Sequence, residues 1–568
     1  MEKKMNLYVV IPSSQQHSGI SEGYFDDYPM LNLLPLGHKS TIQQLIEDLL
    51  KLEKLDEFKE HCHIQKIIIV SSEANCEKYC GSLGIKDNRL ECWSSHVLTQ
   101  CFGIYYAVSE GIKHLSLNSE KPDGPILVIY GDTLLRDCFW QAIIKRTRQK
   151  FQKSPLDPWI ILGFVDCHSE MKERTNWKYL TRNRRGIARV DMSMPREELE
   201  KSDVADYVAV NDDAIVDFLS PPFYPELLDL KKDEQSFIKA GVLIFSPKGW
   251  MAFEDVQEKL KEKLRPPHIS TILRKVLSQN SDIKIEAVCG IFKEMDKKKK
   301  TKIWMDINYP WELIEDSEYF LNKIQEHYKL NNYEKLRTDH KERGDHRNLK
   351  DSGYEIILPA EIYGEIKKYI DNGEIQLAGN IENEAPGVIL KGAILKPKGK
   401  KIELRRGTVI EGVCVIDEEC IVEENAIIKS SVLKKGVQIH SLSLIDHCIL
   451  LEKATVLSHS TVTYSIIGKK ASISYHVIIP CQKIINRGLE SKDREPEIFF
   501  TESLEARHKE QFGAIIGDDV KLGMGVFVEP GRKIGMNSIV YPGCNIHKNY
   551  GPFSIIRIRR EKEELFRP

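Results

Sequence analysis

The chain has 568 residues, 41% of them hydrophobic and 29% charged, with 82 Lys plus Arg against 84 Asp plus Glu. That length predicts two or three domains with cores of their own. A net charge of −2 gives no electrostatic footprint for a nucleic-acid partner, no apolar run approaches a membrane span, and thirteen scattered cysteines do not make a disulfide framework. A cytoplasmic protein with neither nucleic-acid nor membrane partner is expected.

Leu7 to Ile11 form a short apolar run closed by Pro12, too short for a secretory signal and read as a first strand. Residues 66–71 and 126–129 are further apolar runs of the kind covered on both faces. Between them, Ile42, Leu45, Ile46, Leu49 and Leu50 make a helical stripe, and residues 103–114 look similar. This alternation predicts an α/β, Rossmann-like domain with a largely parallel sheet over residues 1–326. His61-Cys62-His63 and the pair Cys76 and Cys80 lack a second cluster with zinc-like spacing and read as structural or incidental. Residues 172–206 read as a polar excursion, and Lys297 to Lys300 as a solvated turn rather than a phosphate site. A charged connecting segment is expected over 327–384.

After it the period changes. Val409, Val415, Ile421, Ile427, Leu433, Ile439, Ile445, Leu451 and Leu457 fall on every sixth residue; Ile467, Ile473 and Ile479 resume the step after a shift. Ile516, Leu522, Val528, Ile534, Val540 and Ile546 repeat it. A helix of period 3.6 cannot hold a six-residue step on one face for so long, whereas a coil of three short strands can. Residues 385–568 therefore read as a parallel β-helix of hexapeptide type, with a loop insertion at 482–513. Small residues such as Cys414, Cys420 and Ala426 suit its narrow corners.

Two aspartates follow strand-like runs, in Leu127-Val128-Ile129-Tyr130-Gly131-Asp132-Thr133 and in Ile303-Trp304-Met305-Asp306. In an open parallel sheet, ligands bind beyond the carboxyl ends of the strands. Two carboxylates converging there suit Mg²⁺, which takes its other ligands from phosphate oxygens and neutralises charge on a reacting phosphate. Taken singly, each aspartate also fits a simple turn cap.

With these motifs the chain resembles the sugar-1-phosphate nucleotidyltransferases, in particular the archaeal two-domain type with a C-terminal left-handed β-helix. Leu34-Pro35-Leu36-Gly37-His38-Lys39, Tyr130-Gly131-Asp132, Ala240 to Pro247 and Trp304 to Trp311 are similar to that family's segments. So are the late coils, Phe512 to Asp518 and Val528-Glu529-Pro530-Gly531. The resemblance implies attack of a sugar-1-phosphate on the α-phosphorus of a nucleoside triphosphate, with release of pyrophosphate. It implies Asp132 and Asp306 as catalytic metal ligands for Mg²⁺. It implies Ser13, Ser14, His17, Gly19, Gln100 and Gly131 at the nucleotide, Ala240 and Gly241 at the sugar, and a homotrimer through the β-helix.

The chain departs from the pattern at its phosphate end. The family's Gly-rich loop ending in Gly-Thr-Arg corresponds here to Pro12 to Ser21, with one glycine and no arginine; its following lysine falls at Leu31. The base-reading segment is Thr99-Gln100-Cys101, and the family's Glu-Lys-Pro is Ser220-Pro221-Pro222. These changes keep open a catalytically inactive regulatory or scaffolding homologue. A further alternative is amino-sugar-phosphate N-acetyl transfer in the β-helix, with acetyl-CoA as cofactor and His459 or His476 as the base.

Overall fold

β1 (Met5–Pro12) is buried on both faces from Val9 to Ile11, so its sheet needs helices above and below. The computed structural model describes residues 4–166 apart from short stretches, of which 14–23 and 95–103 are the longest. It also describes the elements named below between 187 and 314, strands between 355 and 396, and residues 400–481 and 512–558 apart from 413. Most of 172–206, and all of 297–300, 327–353 and 482–511, lie outside the described residues. The chain divides into two units, Met1–Gln16 with Ser40–Ile307, and His17–Lys39 with Asn308–Pro568.

In the first unit β1 pairs in parallel with β2 (Cys62–Ser71) on one side and β4 (Ile126–Ile129) on the other; β2 carries β3 (Leu90–Ser94) on its far edge. Helix α1 (Thr41–Leu52) starts at Ser40, whose hydroxyl accepts from the Gln43 amide at 3.3 Å, and buries Ile42, Leu45, Ile46 and Leu49. Helix α2 (Ile104–Leu117) packs against β1 and β2 at Gly111, where a Cβ would stand 2.6 Å from Val10 Cγ1 and 2.7 Å from Val70 Cγ2. The close approach needs the missing side chain.

β5 (Thr133–Leu135), α3 (Asp137–Lys153) and β6 (Trp159–Asp166) follow, then β7 (Ile187–Val190), β8 (Tyr207–Asn211), β9 (Ile215–Leu219) and β10 (Ser236–Phe245). The unit closes with α4 (Pro247–Leu260), α5 (Ile269–Gln279), β11 (Lys284–Ile291) and β12 (Trp304–Asp306). The main sheet runs β8-β11-β6-β10-β4-β1-β2-β3. It is parallel except at β10, which is antiparallel to both neighbours, and at the edge strand β8. Glu286, buried on β11, accepts from Arg146 Nε at 2.8 Å and Lys150 Nζ at 2.5 Å, two cations of α3. A buried carboxylate is tolerated because both partners neutralise it.

The second unit is a three-sided parallel β-helix. The chain visits face 1 (Thr408–Glu411), face 2 (Cys414–Asp417) and face 3 (Ile421–Val422), then returns to face 1 (Ile427–Lys429). Each strand pairs in parallel with the one a full coil later. Faces 1 and 3 begin with Glu355–Ile357 and Ile375–Leu377, so the coil starts within the stretch expected to be a connector, ahead of residue 385. The repeat is not visible there because 30 residues separate Ile357 from Val388.

The inward register also differs from the expected one. Ile410, Ile416, Val422, Ile428, Leu433, Ile439, Ile445, Leu450, Val456, Val462 and Ile467 fill the interior. Strand partners in the middle coils are 17 residues apart, as in Ile428↔Ile445 and Ile445↔Val462, so each such coil advances by six, six and five. An unbroken step of six therefore drifts by one residue per coil. Leu433, Ile439 and Ile445 point inward as expected, but Val409, Val415, Ile421, Ile427, Leu451 and Leu457 do not belong to this core. The runs Ile467 to Ile479 and Ile516 to Ile546 are inward throughout. Cys414, Cys420 and Ala426 occupy buried positions two residues before an inward aliphatic, as their small size predicts. Burial pushes the Cys414 and Cys420 thiols up to about 12, which makes them inert packing groups.

The corners are left-handed in backbone conformation. Between faces 3 and 1, Asn425, Leu442, His459 and His476 have φ of 57°, 62°, 61° and 58°. Side chains there cost roughly 1–2 kcal/mol each. The strain is offset by rung-to-rung hydrogen bonds, Leu442 N to Glu424 O, His459 N to Ser441 O and His476 N to Ser458 O at 3.0–3.3 Å.

Candidate functional site

The first unit gathers its candidate residues where the strand order reverses. From β1 the chain moves outward through β2 to β3, then returns to β4 on the other side of β1. In an open parallel sheet that reversal opens a crevice at the carboxyl ends of the two central strands. Those ends are Ser13, just after β1, and Tyr130-Gly131-Asp132, just after β4.

The backbone there is tied strand to strand. Gly131 N donates to Pro12 O at 3.2 Å, Ser13 N to Val70 O at 2.8 Å, and Tyr130 N to Gly241 O at 3.0 Å. Ser13 and Asp132 are only 4% and 5% exposed, and Thr133 Oγ1 donates to Asp132 Oδ1 at 3.4 Å.

β12 then brings in the second aspartate. It pairs antiparallel with β5, setting Asp306 opposite Thr133 and Met305 opposite Leu134, and Ile307 N donates to Asp132 O at 3.0 Å. Two positions 174 residues apart in sequence thus stand on adjacent backbone, where β4 of the main sheet leads into the separate two-stranded sheet of β5 and β12.

Gly241 enters from β10 with φ of 75°. The pairing of β10 with β6 shifts between Lys239↔Phe164 and Leu243↔Leu162, so Ala240 and Gly241 lie in an irregular stretch of the strand. Such bulges re-aim side chains and occur beside active sites. The carbonyl of Ser13 has two side-chain donors that sequence reading did not mark, Ser71 Oγ at 3.1 Å and Tyr79 OH at 3.4 Å. Ser71 offered one signal, a polar residue closing an apolar run; Tyr79 offered none.

The structure thus brings together Ser13, Gly131, Asp132, Gly241 and the backbone of Asp306. Ser14, His17, Gly19 and Gln100 lie outside the described residues, as do Thr99, Cys101 and 220–222. Ala240 is in β10. Leu31 begins a short 3-10 turn, Leu31–Leu33, that leads to buried Leu33 and Leu34. His459 and His476 are far from this chain stretch in sequence and sit exposed on the β-helix corner, stacked with ring centroids 5.1 Å apart. His63 is engaged by Glu53, its Nδ1 lying 2.6 Å from Glu53 Oε1, and burial pushes the Cys62 thiol up to about 12.

A family model described as the GMPPB C-terminal domain matches residues 410–530. The match covers about a fifth of the chain and falls on the β-helix. It supports a protein of the sugar-nucleotidyltransferase type. No curated protein matches the sequence.

Proposed function

We propose that the chain is a Mg²⁺-dependent sugar-1-phosphate nucleotidyltransferase whose reaction centre is the sheet edge at Asp132 and Asp306. The observation that carries this reading is the pairing of β12 with β5, which puts the second aspartate beside the first at the switch point. The similarity of residues 410–530 to the C-terminal domain of a GDP-mannose pyrophosphorylase supports the same class.

The donor set suits the ion. Two aspartates on adjacent backbone match a cation that binds few protein oxygens and completes its shell with phosphate and water. When bound, Mg²⁺ supplies charge neutralisation at the reacting phosphates. The protein's own part is positioning. Gly131, without a side chain, lets a phosphate approach the strand end, and the Ser13 backbone is held rigid by Ser71 and Tyr79. Gly241, in the irregular stretch of β10, leaves room for the sugar. In-line attack by the sugar phosphate oxygen forms the new P–O bond as the bond to pyrophosphate breaks, and no covalent enzyme intermediate is required.

Binding of Mn²⁺ in place of Mg²⁺, followed by its paramagnetic spectrum with each nucleoside triphosphate, tests the centre. Native protein is expected to bind Mn²⁺ more tightly with a triphosphate present, and Asp132→Asn to lose that gain. Equal binding by both proteins contradicts the assignment.

Replacement of the family's lysine by Leu31, followed by buried leucines, favours one second reading, a regulatory homologue without turnover. For assembly we propose a homotrimer through the β-helix. Exposed Tyr475, Ile478, Met524, Phe527 and Tyr541 lie on and beside the corner between faces 3 and 1, and a run of such residues marks an interaction surface. Acetyl transfer by His459 or His476 is tested by acetyl-CoA consumption with amino-sugar phosphates.

A further inference from the structure

The three corners of the β-helix carry different chemistry. Between faces 2 and 3 the turns bring up Lys435, Lys453, Lys470 and Asp519 on successive rungs. Between faces 1 and 2 they bring up Glu411, Lys429 and Asp446. Between faces 3 and 1 the turns are Ser441-Leu442, Ser458-His459, Tyr475-His476, Met524-Gly525 and Pro542-Gly543, each hydrogen-bonded to the turn of the rung before. None of these residues is an acid, a lysine or an arginine, over a height of about 19 Å. Leu442, Tyr475 and Met524 are exposed, and exposed Ile478 and Phe527 adjoin them on face 1.

This chemistry selects the occupant. In a cyclic assembly about an axis parallel to the β-helix, equivalent residues of all copies lie at equal height. A charged column then meets like charge, which opposes the contact. The corner between faces 3 and 1 meets only uncharged, largely apolar groups and so fits a second copy of this chain.

Two groups in that column take up protons near neutral pH. His459 and His476 are exposed and stack with ring centroids 5.1 Å apart and planes 19° from parallel. Their left-handed backbone, with φ of 61° and 58°, fixes both within the patch, with Leu442 on the rung before and Met524 on the rung after. A partner that covers the patch covers both imidazoles. Among the described residues no carboxylate pairs with either ring. On the rung before, Glu423 Oε2 lies 3.0 Å from His440 Nδ1, Glu424 Oε2 accepts from Ser441 Oγ at 3.1 Å, and Asp446 Oδ1 lies 2.7 Å from His447 Nδ1. Lys521 follows on face 3, and Tyr475 is the remaining titratable group beside the stack. Protonation therefore sets two cations face to face, and covering them takes both from water.

We infer that the corner between faces 3 and 1 is a pH-gated contact between copies of this chain, formed when His459 and His476 are neutral and released when they are protonated. This rests on the homotrimer reading above. Two imidazoles per chain make six in a trimer. Keeping a proton off an imidazole one unit below its ordinary pKa of about 6.5 costs about tenfold. With protons excluded from only half of the six, the trimer association constant falls at least about 10³-fold between about pH 8 and about pH 5.5.

Sedimentation velocity over a range of protein concentrations, at about pH 8 and about pH 5.5 and one ionic strength, tests this. The full chain is compared with His459→Gln combined with His476→Gln, and with His476→Lys. Lys453 and Lys470 hold the same left-handed conformation at another corner, so His476→Lys keeps the backbone, and circular dichroism checks each fold. Native protein is expected as three chains at about pH 8, dissociating at about pH 5.5 and reassembling on return. The double glutamine variant is expected to stay trimeric at both, and His476→Lys to be a single chain at both. A native trimer equally tight at both pH values overturns the gate. So does a double glutamine variant that dissociates as native protein does, or a His476→Lys trimer of native affinity. A native single chain at about pH 8 is a separate result, which removes the homotrimer reading and the gate with it.

Discussion

Asp132 owes its place to local sequence: an apolar strand ends at Ile129, Gly131 N is tied to Pro12 O, and Thr133 Oγ1 donates to the buried carboxylate. Asp132→Asn keeps the size of the side chain and removes its charge. It is expected to lower kcat for nucleotidyl transfer by about 10²-fold or more, with thermal unfolding within about 2 °C of native. A large fall in stability instead marks the residue as structural. Lys533 supplies a second residue-scale test. Burial lowers its ammonium from the usual 10.5 to about 8. Between those values the unfolded chain holds a proton that the folded chain does not, so stability rises with pH across that window. From pH 7 to pH 10 the native protein is expected to gain roughly 2–3 kcal/mol relative to Lys533→Met, measured by denaturant unfolding. Tyr24, stacked against Lys533 and itself raised by burial, loses its proton in the unfolded chain first, and so opposes the trend only above pH 10. A parallel pH dependence for the two proteins contradicts burial of Lys533. The aspartates were legible in the sequence because each ends an apolar run. The hydrogen bond from Tyr28 to Glu452 was not, because 424 residues separate its partners and neither belongs to a motif.

At the scale of elements, the helix-to-sheet contact of α2 depends on Gly111. Val10 and Val70 are β-branched and cannot swing aside, so Gly111→Ala is expected to destabilise the first unit by about 1–3 kcal/mol in denaturant unfolding. The β-helix offers a test of register. Ile445 is fully buried in the core and Ile427 is half-buried on the outer side of face 1. Ile445→Ala is expected to cost about 2–5 kcal/mol and Ile427→Ala under about 1 kcal/mol. Similar costs contradict the six-six-five coil. The β-helix itself was plain from period alone, since no other architecture sustains that step. Its phase was not. One residue is lost at the corner between faces 1 and 2 in each middle coil, and outward aliphatics such as Val415, buried on face 2, continued the false step. The strands at Glu355 and Ile375 were hidden because one or two strands carry no period.

For the whole molecule, two units of different architecture share one chain, and the segment Tyr24 to Tyr28 belongs to the β-helix although it lies between β1 and α1 in sequence. Composition and period separated an α/β part from a repeat part, but no local pattern marks residues between β1 and α1 as belonging with the β-helix. Light scattering is expected to give three times the 65.3 kDa chain mass, and Tyr475→Glu with Phe527→Glu to lower it to one, because charge at an apolar contact is not desolvated cheaply. A native mass of one chain contradicts the trimer and leaves the site intact. The central claim concerns that site, and pyrophosphate release measures it most directly. Native protein, Asp132→Asn and Asp306→Asn are incubated with Mg²⁺, each nucleoside triphosphate and a panel of hexose-1-phosphates. The account predicts Mg²⁺-dependent release with at least one pair, abolished by chelation and by either substitution. No metal-dependent release with any pair, or release that survives loss of both aspartates, contradicts it.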